Sequence, residues 1–169
     1  MIHLPLSCRS LLSQMKGKRL ERVTRTLLPC DYEALPAEER DELSDGSLDL
    51  FFEGGLHICL WSYTEPMSVG VVPDPLPVPD WVYRDVSENG FWKERVGQIV
   101  VGVTVLKAPV YDMKGTTEVC PSEFGLLFDL SEGGRFLVEY SMLYPYSDSL
   151  IITPGVDHIP PGTYSRISL

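Results

Sequence analysis

The chain is poor in the residues from which staples and active sites are usually built. Its 169 residues include 4 cysteines and 3 histidines. Cys8, Cys30, Cys59 and Cys120 contain no C-x-x-C pair, which leaves neither a zinc ribbon nor a thioredoxin-like redox motif. Scattered single cysteines of this kind are expected as reduced, packed thiols, and that expectation points to a cytoplasmic address. His3, His57 and His158 stand at no helical or hairpin spacing from one another, so no set of metal ligands converges. His57 and Cys59, two apart on one strand face, are the best local pair, and packing is the expected role for both. No apolar run approaches the ~20 residues of a membrane span, and Met1 to Leu12 lacks the layout of a secretory signal.

Motifs of covalent and phosphate chemistry are missing too. There is no G-x-S-x-G, and the Gly-Gly pairs at 54–55 and 133–134 precede strands rather than the helix N-terminus that a phosphate loop requires. Neither a catalytic residue nor a cofactor is expected. Basic residues are also in short supply, with 14 Lys and Arg against 24 Asp and Glu and a net charge of -10. A field of that sign repels nucleic acid and attracts a basic protein surface.

The charge is unevenly distributed. Residues 1–25 carry six Lys or Arg against Glu21 alone, whereas residues 31–45 hold Asp31, Glu33, Glu38, Glu39, Asp41, Glu42 and Asp45 against Arg40. Pro36 with the acids after it predicts a short acidic helix over "LPAEERDELS". Those seven acids are candidate partner-binding residues, because binding a cationic protein requires only a complementary surface. Trp81 and Tyr83 join them, since Tyr and Trp bury much area at interfaces for little loss of side-chain entropy.

Two stretches resemble each other. "EGG" at Glu53 returns at Glu132, 79 positions on, between apolar runs both times, and predicts two glycine hairpins. "GKRLERVTRTLL" from Gly17 matches "GQIVVGVTVLKA" from Gly97 at an offset of 80. The chain therefore reads as a single α+β domain over residues 1–169. It is mostly antiparallel sheet with few short helices, built from two tandem helix-strand-hairpin repeats, 7–65 and 87–145, joined by a proline-rich segment, 66–80. Each repeat is expected to open on a helix, with Ser7 as an N-cap in the first and a start at Ser87 in the second. Alternation puts Leu48, Leu50 and Phe52 on one strand face and His57, Cys59 and Trp61 on another. Prolines 73, 75, 77 and 79 predict a stiff extended arm. Short strands are expected at Leu150 to Thr153 and Thr163 to Leu169.

The openings at Gly17 and Gly97, the two Glu-Gly-Gly hairpins and the acid-rich insertion at 31–45 together resemble the bacterial immunity proteins that neutralise secreted or contact-delivered toxins. That resemblance implies a non-catalytic protein that holds a cognate toxin in a stoichiometric complex, blocking its active site or the channel by which it enters. Toxins that act on nucleic acid or nucleotides present basic clefts, which an acidic surface would meet. Two alternatives stand beside it: a small-ligand-binding or enzymatic domain with a pocket near His57 and Cys59, and an adaptor subunit of a housekeeping complex.

Overall fold

Strand-forming runs separated by glycine and proline turns dominate the chain, and the computed structural model arranges them in two antiparallel sheets. It describes residues 1–27, 29–34, 43–44, 46–75, 78–108, 122–141 and 149–169. A 3-10 turn at Pro5–Cys8, helix α1 (Arg9–Leu12) and a second 3-10 turn at Ser13–Met15 lead into β1 (Leu20–Leu27) and α2 (Pro29–Ala34). Then come β2 (Leu43–Ser44), β3 (Leu48–Phe52), β4 (Leu56–Tyr63), β5 (Ser68–Val72), β6 (Val82–Asp85) and α3 (Gly90–Lys93). β7 (Val100–Lys107), β8 (Gly125–Leu130), β9 (Arg135–Ser141), β10 (Ser149–Thr153) and β11 (Ser165–Ser168) follow. One sheet runs β5-β4-β3-β1-β6 and the other β11-β7-β8-β9-β10-β2. Read from β10 to β11, the second sheet repeats the strand order of the first, and β2 is added at its edge.

The alternation that marks the strands also builds the core. Val23, Leu48, Leu50, Phe52, Ile58, Leu60, Val69 and Val71 of the first sheet share one buried cluster with Val103, Val105, Leu126, Phe128, Phe136, Val138, Leu150 and Ile152 of the second. Each such side chain contributes about 1.5–3 kcal/mol when fully buried. The short helices plug the end of this layer: Leu12 is fully buried, and Trp92 meets Phe136 edge-on at 5.0 Å while Phe136 stacks on Phe128 at 4.4 Å.

Where the sheets meet, four backbone bonds repeat at the offset of 80. Gly17 N–H donates to Val100 O (2.8 Å) and Gly97 N–H to Leu20 O (2.7 Å); Leu20 N–H donates to Gln98 O and Val100 N–H to Lys18 O, both at 2.9 Å. The Arg19 and Ile99 bridge lies at their centre.

Several expectations are corrected. Ser7 caps nothing; Pro5, whose missing N–H costs nothing at a helix start, opens the first turn instead. Ser87 also starts no helix: its hydroxyl accepts from Val23 N–H (3.0 Å) and donates to Asp85 (2.6 Å), and α3 begins at Gly90. The segment 66–80 is not all linker, because Ser68–Val72 forms β5 against β4, between the turn at Pro66 and Pro73. The hairpins do not correspond at 79. Phe52 lies opposite Leu20 and Leu130 opposite Val100, which makes the ladder equivalence 78. Both turns hold three residues between their closing pairs, Phe52 with Leu56 and Leu130 with Gly134, but Glu-Gly-Gly begins one position later in the second, so matching Glu on Glu slips the strands by one residue and exchanges their faces. The acidic helix expected over 35–44 lies almost wholly outside the described residues.

Candidate binding pocket on the first sheet

The outer face of the first sheet carries polar residues where the second sheet carries leucine. Thr24, Asp49 and Cys59 lie side by side across β1, β3 and β4. Their counterparts across β7, β8 and β9 are Thr104, Leu127 and Leu137. Leu127 and Leu137, with Leu106, are buried against Val156, Phe124, Ile159 and Tyr164, so the end of the chain closes that face with apolar contacts. On the first sheet the same row forms the floor of a cavity of about 400 Å³, within the range of small-ligand and side-chain pockets.

Asp49 is the centre of the floor and is only 6% exposed. Its Oδ1 lies 2.6 Å from His57 Nε2, and its Oδ2 accepts from Ser47 Oγ at 2.5 Å. Ser47 has one proton and gives it to the carboxylate, so in the 2.7 Å contact between Thr26 Oγ1 and Ser47 Oγ the threonine donates. A carboxylate can only accept, which fixes the His57 proton on Nε2 and leaves Nδ1 as the second ring nitrogen. A buried carboxylate in this position is tolerable only because such hydrogen bonds replace water.

Cys59 sits beside it, and burial first, then the negative charge of Asp49, pushes its thiol well above the ordinary range. A thiol held protonated in this way is a poor nucleophile. Among the described residues, no group of three or more His, Cys, Asp or Glu could hold a metal ion.

Aromatic rings form the walls. Phe51 stacks on His57 with ring centroids 4.3 Å apart, and the Arg22 guanidinium lies over Phe51 at 4.0 Å. Trp61 contacts Trp81 at 5.4 Å. Trp81 also packs over Gly46, where a Cβ would lie 2.6 Å from its ring and would collide with the Thr26 carbonyl; only glycine fits there. Pro75 and Val78 overhang the cavity, and the Tyr83 hydroxyl accepts from Val78 N–H at 2.7 Å, tying down the proline arm.

A second cavity, of about 370 Å³, borders the outer face of the second sheet near Phe124, Tyr140 and Ile151. Its carboxylate, Glu139, which lies 2.7 Å from His158 Nε2, is more exposed than Asp49. The more deeply buried carboxylate makes the first cavity the stronger candidate.

Of the residues expected to bind a partner, Tyr83 lines the pocket from the edge strand β6, and Trp81 stands behind its wall in contact with Trp61. Asp31 and Glu33 fall on α2, where Glu33 is exposed. Glu38, Glu39, Asp41, Glu42 and Asp45 lie outside the described residues. Asp49, Ser47 and Thr26 were missed as a group. The available signal was the hairpin register, which puts Asp49 opposite Cys59 and Phe51 opposite His57.

Cys8 and Cys59 are buried and Cys30 is exposed, while Cys120 lies outside the described residues. Among the described residues no helix is long and apolar enough to cross a membrane. Comparison of the chain with protein-family models, curated proteins and solved structures returned no match.

Proposed function

We propose that this chain is a non-catalytic binding protein of the immunity type, which holds a basic protein partner against the outer face of its first sheet. The observation that carries this reading is the contrast between the two outer faces. One is closed by Leu106, Leu127 and Leu137 under the end of the chain, and the other keeps a walled cavity over Asp49. On this proposal the two sheets descend from one duplicated unit, and the copies have diverged so that the first face keeps a cavity over a buried carboxylate while the second covers the equivalent row with apolar side chains. The matching strand orders and the four seam bonds support that descent.

The partner is proposed to be a toxin with a basic cleft, met in the cytoplasm. The net charge of -10 supports this, since it speeds association with a positive surface. The aromatic walls would then slow dissociation, as buried anchors do.

A second reading has its own support: a volume of about 400 Å³ with a buried carboxylate also suits a free small molecule. Filling the cavity tests the first reading against the acidic surface alone. Thr24→Trp should raise the dissociation rate of the basic partner at least tenfold with the circular dichroism spectrum unchanged. Charge reversal of Glu38, Glu39, Asp41 and Glu42 to Lys should lower the association rate. Dissociation that is unaffected by Thr24→Trp would remove the pocket from the interface.

A further inference from the structure

We infer that the cavity over Asp49 receives a cationic group, a guanidinium or alkylammonium, carried on a side chain of the protein partner. This inference rests on the reading of the cavity as the binding face.

The floor supplies negative charge with little to offset it. Asp49 is the buried charged group of the cavity, and its ion-pair partner among the described residues is His57, whose ring is charged only when protonated. Ser47 donates to it as a neutral hydroxyl. The nearby arginine, Arg22, is held over the Phe51 ring on the rim.

The walls favour the same sign. Phe51, Trp61 and Tyr83 line the cavity, and the faces of aromatic rings attract cations. Arg22 on Phe51 is an example already present in the fold. The acceptors left for an incoming N–H are the remaining lone pairs of the Asp49 carboxylate and the hydroxyls of Thr24 and Tyr83. An anion would meet Asp49 and a net charge of -10. A purely apolar group would bury the carboxylate further without a counter-charge, which is costly.

The volume of about 400 Å³ accommodates an arginine side chain with room for its stem beside Val72 and Pro75. The cavity thereby sets a requirement on the partner: a protruding Arg or Lys at the centre of its basic surface, consistent with charged anchors at interface centres.

The test is titration of the full chain with N-acetyl-arginine amide, followed by tryptophan fluorescence from Trp61 and Trp81 and by calorimetry. N-acetyl-citrulline amide, which keeps the shape and loses the charge, is the control, and free arginine is the third probe. The expected result is binding of the arginine amide at least tenfold tighter than the citrulline amide, with free arginine no tighter than the amide. Asp49→Asn should reduce the arginine affinity at least tenfold. Trp61→Leu, which removes one wall from the rim and leaves the floor intact, should weaken it several-fold and keeps the test available if Asp49→Asn does not fold. Equal affinity for the two amides, or no binding of the arginine amide at 20 mM, overturns the cation preference. Free arginine binding tenfold tighter than its amide overturns the assignment to a protein side chain. None of these results depends on whether Thr24→Trp loosens the partner, so the cation inference and the proposed binding face can fail separately.

Discussion

At the scale of single residues, the site is a matter of which protons lie between Thr26, Ser47, Asp49 and His57. Its ingredients are partly legible in the sequence: alternation along β4 puts His57, Cys59 and Trp61 on one face. Asp49 was legible as a residue but not as a centre, because a carboxylate in a strand becomes informative only when the register shows what stands opposite. The Oγ of Ser47 and of Thr26 carry no sequence signal, since hydroxyls on strands are ordinary.

Two predictions belong at this scale. The Cys59 thiol, held protonated by burial and by Asp49, should resist iodoacetamide at pH 8 in the folded protein while exposed Cys30 is alkylated, as read by peptide mass spectrometry; modification of Cys59 at the rate of Cys30 would contradict the geometry. The second concerns Asp85, whose carboxyl is held below its ordinary range chiefly by the Ser87 hydroxyl, with further help from the Ser87 N–H and Arg22. A depressed carboxylate adds stability that is present above the unfolded value of about 3.9 and is lost as pH falls through the lower folded value. Asp85→Asn should therefore lower the urea midpoint at pH 7, and the difference from the unsubstituted chain should shrink as pH drops below about 4. A difference that grows in acid would reverse the assignment.

At the scale of elements, the hairpins show what a sequence match can and cannot settle. Two Glu-Gly-Gly turns announced two β-hairpins, and both are there. Aligning their letters nonetheless misplaced the strands by one residue, because Glu-Gly-Gly begins one position later in the second turn than in the first. Turn glycines follow the positive φ of the loop, shown by Gly55 at 78° and Gly133 at 76°, and those two glycines correspond at the ladder offset of 78, not at 79. The helices were read too long for a related reason. Ser7 and Ser87 look like caps, yet Ser87 serves a strand edge and α1 and α3 run only four residues each. Helices this short draw their stability from packing, so Trp92, nearly fully buried against Phe136, is the residue on which α3 depends. Trp92→Ala should cost about 3–5 kcal/mol in denaturant unfolding, and a loss under 1 kcal/mol would show that the helix is not part of the core.

At the scale of the whole molecule, two sheets of like order meet through a seam of four backbone bonds and enclose one core. The mostly antiparallel α+β character was legible from period-two alternation and glycine turns. The difference between the two outer faces was not, because it depends on where the end of the chain lies, and a run of prolines and glycines does not say which surface it covers. From this asymmetry and the net charge follows an expectation for kinetics: association with the basic partner should slow steeply between 50 and 500 mM salt while dissociation changes little. Association that does not vary with salt would argue that the charge plays no part in recognition.

The central claim is that the open outer face of the first sheet is where this protein binds, and chemical-shift mapping of the full chain with N-acetyl-arginine amide tests it most directly. The account predicts that the perturbed resonances are those of Thr24, Asp49, His57, the Trp61 and Trp81 indoles and Tyr83, with Leu127, Leu137 and Ile159 unmoved. Perturbations centred on the second sheet, or spread evenly over the surface, would contradict it.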